Sequence, residues 1–226
     1  MTLMAHKLDW RPELSAAILL ASIILLGLIL GYLLSPAAGE AVMRFPPVRA
    51  VEVRVRSVAE SVREAVEPAL QPRAADYVAI LAGILYNNAL IATLLLILPP
   101  ISCVTKMWIP PTLERLYHKP GLGLFRYLFK PLSWKPYRVL IAILPCYASA
   151  LFSFMAGILL NRWGLELYAY IEAMGVFAAS YTSLLPAWGR EPKESLGIWR
   201  WAASRIGILA YPLLLLAAAL EAGVIV

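Results

Sequence analysis

Asn87, Asn88 and Glu172 are polar side chains that lie inside long apolar runs. An amide or carboxyl at membrane depth costs free energy unless it meets another polar group or lines a water-filled path. Two kinds of chemistry follow. Such groups can bond helices together, at about 0.5–2 kcal/mol per contact. They can also form a proton- or cation-sensitive site on a transport route. Counting inward at about 1.5 Å per residue places Asn88 and Glu172 at similar depth, so Asn88 can donate to the Glu172 carboxyl if their helices are neighbours. Tyr168, Gly175 and Ala179 share the Glu172 face, and their small members predict that this face meets protein rather than lipid. Glu166 and Glu221 fall near the ends of their runs and can reach interfacial water.

Catalytic chemistry has few other candidates. The two histidines, His6 and His118, lie in a tail and a basic loop. No HExxH, GxSxG or phosphate-cradling glycine loop occurs, so no catalytic residue, metal or cofactor is expected. The two cysteines, Cys103 and Cys146, are not in a CxxC arrangement. Buried cysteine ordinarily behaves as a small hydrophobe, and a thiol relay through this pair is the minor alternative.

The elements that position these groups are membrane spans. With 61% hydrophobic and 15% charged residues among 226, the chain lies outside the range of ordinary soluble domains. A bilayer core about 30 Å thick takes about 20 helical residues to cross, and helices satisfy their own backbone on the way. The runs 14–34, 77–103, 139–160, 165–188 and 206–226 therefore predict an all-α, polytopic bundle of about five transmembrane helices in one membrane domain, 1–226. Asparagine and glutamine are scarce, which fits heat adaptation or a GC-rich codon bias.

Lysine and arginine beside the spans set orientation. Every lysine (7, 106, 119, 130, 135 and 193) falls in the N-terminal tail, the 104–138 loop or the segment before the last span. These three are expected in the cytoplasm, with the N-terminus inside and the C-terminus outside. The first run is longer than a signal-peptide core, so it is read as retained, although Ser35-Pro-Ala-Ala-Gly loosely suggests a cleavage site. Its Gly27 and Gly31 form a GxxxG pattern for close helix approach. Cys146, Ala150, Ser153 and Gly157 make a matching small-residue stripe on the third span.

The external loop, 35–76, carries Val51, Val55, Val58, Val62 and Val66 at helical spacing. Arg54, Glu60, Arg63, Glu64 and Glu67 are expected on other faces, with Arg56–Glu60 and Arg63–Glu67 as i,i+4 pairs. The valines either cover the outer ends of the bundle, the favoured reading, or lie on the membrane surface. A short strand over 51–56 fits the same alternation. Within the 104–138 loop, Pro110 to Pro136 mixes aromatics with Arg115, Lys119, Arg126, Lys130 and Lys135, cut by prolines into short pieces. Anionic lipid attracts such a segment. A docking surface for a cytoplasmic partner, such as a coupling ATPase, is the sharper alternative. Nucleic acid is not an expected partner, because topology accounts for the basic charge.

The stretch Leu85-Tyr-Asn-Asn-Ala-Leu-Ile-Ala92 and the later Gly164-Leu-Glu166-Leu-Tyr-Ala169, running on to Ala173 and Gly175, resemble the stage II sporulation protein M family of membrane proteins. The resemblance implies that Asn88 and Glu166 match that family's polar positions, with Glu172 an additional carboxylate. Arg162 and Trp163 occupy the neighbourhood where the family often has a histidine. The resemblance further implies a non-enzymatic envelope component. The expected function is therefore a membrane scaffold or accessory subunit, with a protein partner or homo-oligomer. The membrane subunit of a transporter is the alternative.

Overall fold

The structure, a computed structural model, describes residues 11–43, 46–118, 121, 133–163 and 167–226. Among them are seven α-helices: α1 (Arg11–Met43), α2 (Pro46–Val66), α3 (Pro72–Tyr117), α4 (Trp134–Trp163), α5 (Leu167–Leu184), α6 (Pro192–Ala202) and α7 (Ile208–Ile225). A 3-10 turn, Leu185–Trp188, follows α5, and a π-helical turn, Ala203–Gly207, joins α6 to α7. No strand occurs among these residues, so the 51–56 alternation is helical. The protein is an all-α membrane bundle.

Among the described residues, four helical stretches are long and apolar enough to cross a bilayer: Glu13–Pro36, Pro72–Ile109, Trp134–Asn161 and Pro192–Ile225. Only 17% of the first is buried within the protein, so most of its apolar surface is left for lipid. The expected fourth span, 165–188, becomes α5 and is not among the four. With 18 residues it reaches about 27 Å. Its second half lies inside the bundle, where Ser180, Thr182 and Ser183 are fully buried, whereas Leu167, Tyr170 and Met174 of its first half are exposed.

Other expected boundaries also move. The first helix continues to Met43 and the second to Tyr117, so parts of the expected loops 35–76 and 104–138 are helical. Pro110 and Pro111 do not stop α3. The amphipathic helix α6 precedes the last span and was not foreseen.

Described residues in or beside the three segments expected on one side meet at one end of the bundle. Ala16 and Leu20 of α1 pack with Leu184, Leu185 and Ala202. Cys103 packs with Ile141 and Ala187, Trp134 donates to the Gly189 carbonyl (3.1 Å), and Arg138 donates to the Ala187 carbonyl. Lys106 lies 5.8 Å from the centre of the Tyr137 ring. We term this the basic end. At the opposite, hairpin end, Ser35 donates to the Ile158 carbonyl (3.4 Å) and Tyr77 to the Ala219 carbonyl (3.2 Å).

Small residues hold α1 against α4. A Cβ on Gly31 would overlap the Phe154 carbonyl, one on Gly157 would overlap the Leu28 carbonyl, and one on Gly27 would meet the Ser153 hydroxyl. Without a hydrophobic drive between helices in lipid, this backbone-to-backbone approach supplies the dispersion contact that joins them. The GxxxG pair and the 150–157 stripe therefore face one another. Cys146, a turn and more away, packs on the neighbouring cluster around Ala16 and Leu20.

Prolines within helices free carbonyls, and two of these find donors on other elements. Pro100 has no N–H for Leu96, whose carbonyl accepts from the Trp199 indole of α6 at 2.8 Å. Pro36 likewise frees Tyr32, whose carbonyl accepts from Asn161 at 3.1 Å. Membrane helices tolerate proline through such substitution by neighbours. Trp199→Phe, which keeps the ring but loses the donor, is expected to cost about 0.5–1.5 kcal/mol in thermal unfolding in detergent. In a Pro100→Ala background Leu96 regains a backbone partner, and the same substitution should become nearly neutral. Equal costs in both backgrounds would contradict this account.

Candidate functional site

The site is built where α2 folds back along α3. The valine stripe Val51, Val55, Val58, Val62 and Val66 is half-buried against α3, whereas Val53 on the opposite face is 60% exposed. The stripe thus covers the hairpin end of the bundle. Gly83 allows the approach, since a Cβ there would lie 2.5 Å from the Val55 carbonyl. The expected ion pairs change partners. Arg56 pairs back to Glu52 (3.4 Å), and Arg63 reaches across to Asp76 on α3 (3.3 Å).

Arg54 also departs from expectation. It turns inward and donates to Asn87 Oδ1 at 3.0 Å. Position 54 lies three residues after Val51 and four before Val58, which puts it on the valine face rather than another. Asn87 Nδ2 donates to Asn88 Oδ1 at 3.4 Å, and Asn88 Nδ2 donates to Glu172 Oε1 at 2.8 Å. A guanidinium and a carboxyl are thereby joined through two amides whose donors all point the same way. Each bond in such a chain polarises the next, and surroundings poorer than water in screening strengthen the effect. Helix rise puts Glu172 about 7.5 Å from the start of α5, within the upper third of the bundle. Glu221 of α7 is half-buried and close enough to interact electrostatically with Glu172.

Below this chain lies an elongated cavity of about 400 Å3 between α3, α4 and α5, with Leu214 of α7 contributing to its wall. Its amides and carboxyl, Asn87, Asn88 and Glu172, lie at the hairpin end, Tyr147 lies further from that end, and the remainder is aliphatic or aromatic apart from Met155. Leu94 of α3 and Tyr147 of α4 belong to its lining and are 57% and 52% exposed, and both lie near the middle of their apolar stretches, so the cavity is open towards the apolar belt.

The other candidates do not join this site. Cys103 and Cys146 are free thiols in different core clusters. Arg115 and Lys135 are exposed at the basic end. Glu166, Lys119, Arg126 and Lys130 lie outside the described residues, as does the Gly164–Glu166 stretch of the resemblance. No cluster of three metal-ligating side chains occurs among the described residues. Compared with protein-family models, curated proteins and solved structures, the chain matches none.

Proposed function

We propose that the protein is a non-enzymatic scaffold or accessory subunit of a cell-envelope complex, seated in the cell membrane with its basic end in the cytoplasm. The observation that carries this reading is how the intramembrane polar groups are used. Arg54, Asn87, Asn88 and Glu172 bond to one another across three helices. They stabilise an arrangement of α2, α3 and α5 that a partner could recognise. The resemblance to stage II sporulation protein M agrees with such a role. The lysines, all confined to the three segments expected on one side, favour the cytoplasmic leaflet there, at about 1 kcal/mol each near anionic lipid. Exposed Arg115 and Lys135 belong to the surface on which a cytoplasmic partner would dock.

A second reading, the membrane subunit of a transporter coupled to a cytoplasmic ATPase, draws on the cavity that reaches Glu172. Purification from native membranes in mild detergent, with partners identified by mass spectrometry, separates the two. A stoichiometric envelope protein without nucleotide-binding motifs is the expected result. A nucleotide-binding ATPase would put transport first, and recovery of the chain alone or as a homo-oligomer would remove the case for a hetero-complex.

A further inference from the structure

We infer that the lateral cavity binds a membrane-soluble, single-chain amphiphile with a small hydroxyl-bearing head, held head-first beneath the Arg54–Glu172 chain. This goes beyond the scaffold reading and stands whichever partner the protein has. Four observations converge on it. At about 400 Å3, the cavity lies within the range of about 300–1,000 Å3 typical of small-molecule sites. It is elongated along the helices: from Asn88 to Leu95 on α3 is about 10 Å, and from Leu144 to Met155 on α4 about 16 Å. Its amides and its carboxyl lie at the end nearer the hairpin interface, as a lipid's head does in its leaflet. Leu94 and Tyr147, exposed members of its lining, lie near the middle of the apolar stretches Pro72–Ile109 and Trp134–Asn161, so an opening beside them meets hydrocarbon and an occupant enters from the membrane rather than from water.

Charge complementarity selects the head. The amide and carboxyl groups facing the cavity are Asn87, Asn88 and Glu172, with Glu221 nearby and Tyr147 further towards the basic end. Arg54, which could attract an anion, is not part of the lining and is already committed to Asn87. A phosphate or fatty carboxylate would meet carboxyl oxygens at close range, whereas a hydroxyl donates to them. Asn88 occupies Oε1 of Glu172, leaving the second carboxyl oxygen as the natural acceptor. The tail then lies along Ile91, Leu95, Leu151 and Leu144.

The experiment uses the full chain in nanodiscs and a long-chain alkyl alcohol carrying a mid-chain diazirine. After irradiation, labelled peptides are located by mass spectrometry. Saturable labelling of α3 near Leu94 and of α4 near Leu151 is expected, suppressed by excess unlabelled alcohol. The alkyl phosphate of equal length should compete at least about tenfold less well, the equivalent of losing one good hydrogen bond. Leu151→Trp, which fills the cavity, should abolish that labelling and leave the weak, non-saturable labelling of α1 unchanged. Met155→Trp does the same nearer the head if Leu151→Trp fails to give a monodisperse protein. Glu172→Leu should weaken competition by the alcohol about tenfold while the tail still enters. Uniform, non-saturable labelling of the whole belt would overturn the inference, as would equal competition by the phosphate or labelling indifferent to both tryptophans.

Discussion

Gly31→Leu is expected to leave little folded, monodisperse protein after extraction in mild detergent. The first atom of any side chain at this position would overlap the Phe154 carbonyl, and a backbone group on a neighbouring helix cannot rotate aside. Either α1 withdraws from α4 or α4 unwinds locally. Gly31→Ala alone should cost about 1–3 kcal/mol, the range for overpacking a close contact. Gly157→Ala should match it, because its Cβ would meet the Leu28 carbonyl on the other side of the same seam. Gly27→Ala should be milder. Its nearest obstacle is the Ser153 hydroxyl, which bonds to the Ala150 carbonyl at 3.1 Å and can turn to another rotamer. Size-exclusion profiles and thermal midpoints for the three alanine variants check the order. A Gly27→Ala variant as damaging as Gly31→Ala would show that the seam is not the determinant.

Asn88→Leu is expected to have the other large effect, about 1–2 kcal/mol, because it removes the donor that satisfies Glu172. The carboxyl then stands beside leucine in a half-buried, poorly hydrated place, which is worse than the loss of the bond alone. Glu172→Gln should cost less than half as much, since its amide oxygen still accepts from Asn88. Combining Asn88→Leu with Glu172→Leu should recover most of the loss, because no unpaired polar group remains. Unfolding of the two single variants and the double variant therefore forms a cycle whose coupling is about 1–2 kcal/mol. Strict additivity would mean that the two side chains act independently, and the polar chain would lose its meaning as a unit.

The depth arithmetic that brings Asn88 to Glu172 needs only helix rise and the assumption of neighbouring spans. The facing of Gly27 and Gly31 towards Ala150, Ser153 and Gly157 was visible as two small-residue stripes. Arg54 was misplaced for an instructive reason. Its charge suggested an outward position, whereas its spacing from Val51 and Val58 put it on the buried face, and Asn87 supplied the partner that made inward placement favourable. The ion pairs of α2 changed because Asp76, on another helix, competes with Glu67 for Arg63; surface pairs separated by a few tenths of a kcal/mol are decided by tertiary contacts. α5 reads as less apolar than a lipid-facing span because its serines and threonine are buried in protein, which no window of hydropathy can distinguish from a loop boundary. The reach of α3 through Pro110 and Pro111 was hidden because proline is read as a stop, although a helix supported by neighbours tolerates it.

The indole that completes the Leu96 carbonyl also sets an order of events during synthesis. Trp199 follows Leu96 by 103 residues. At about 5–20 residues per second, translation takes about 5–20 s to produce it after Leu96 has been made. Throughout that interval the Pro99–Pro100 region of α3 carries a carbonyl whose eventual partner does not yet exist. Until then water or another polar group must serve that carbonyl, or it stands unpaired at a cost of about 1–3 kcal/mol. The backbone of the second span is therefore completed by a helix made 103 residues later.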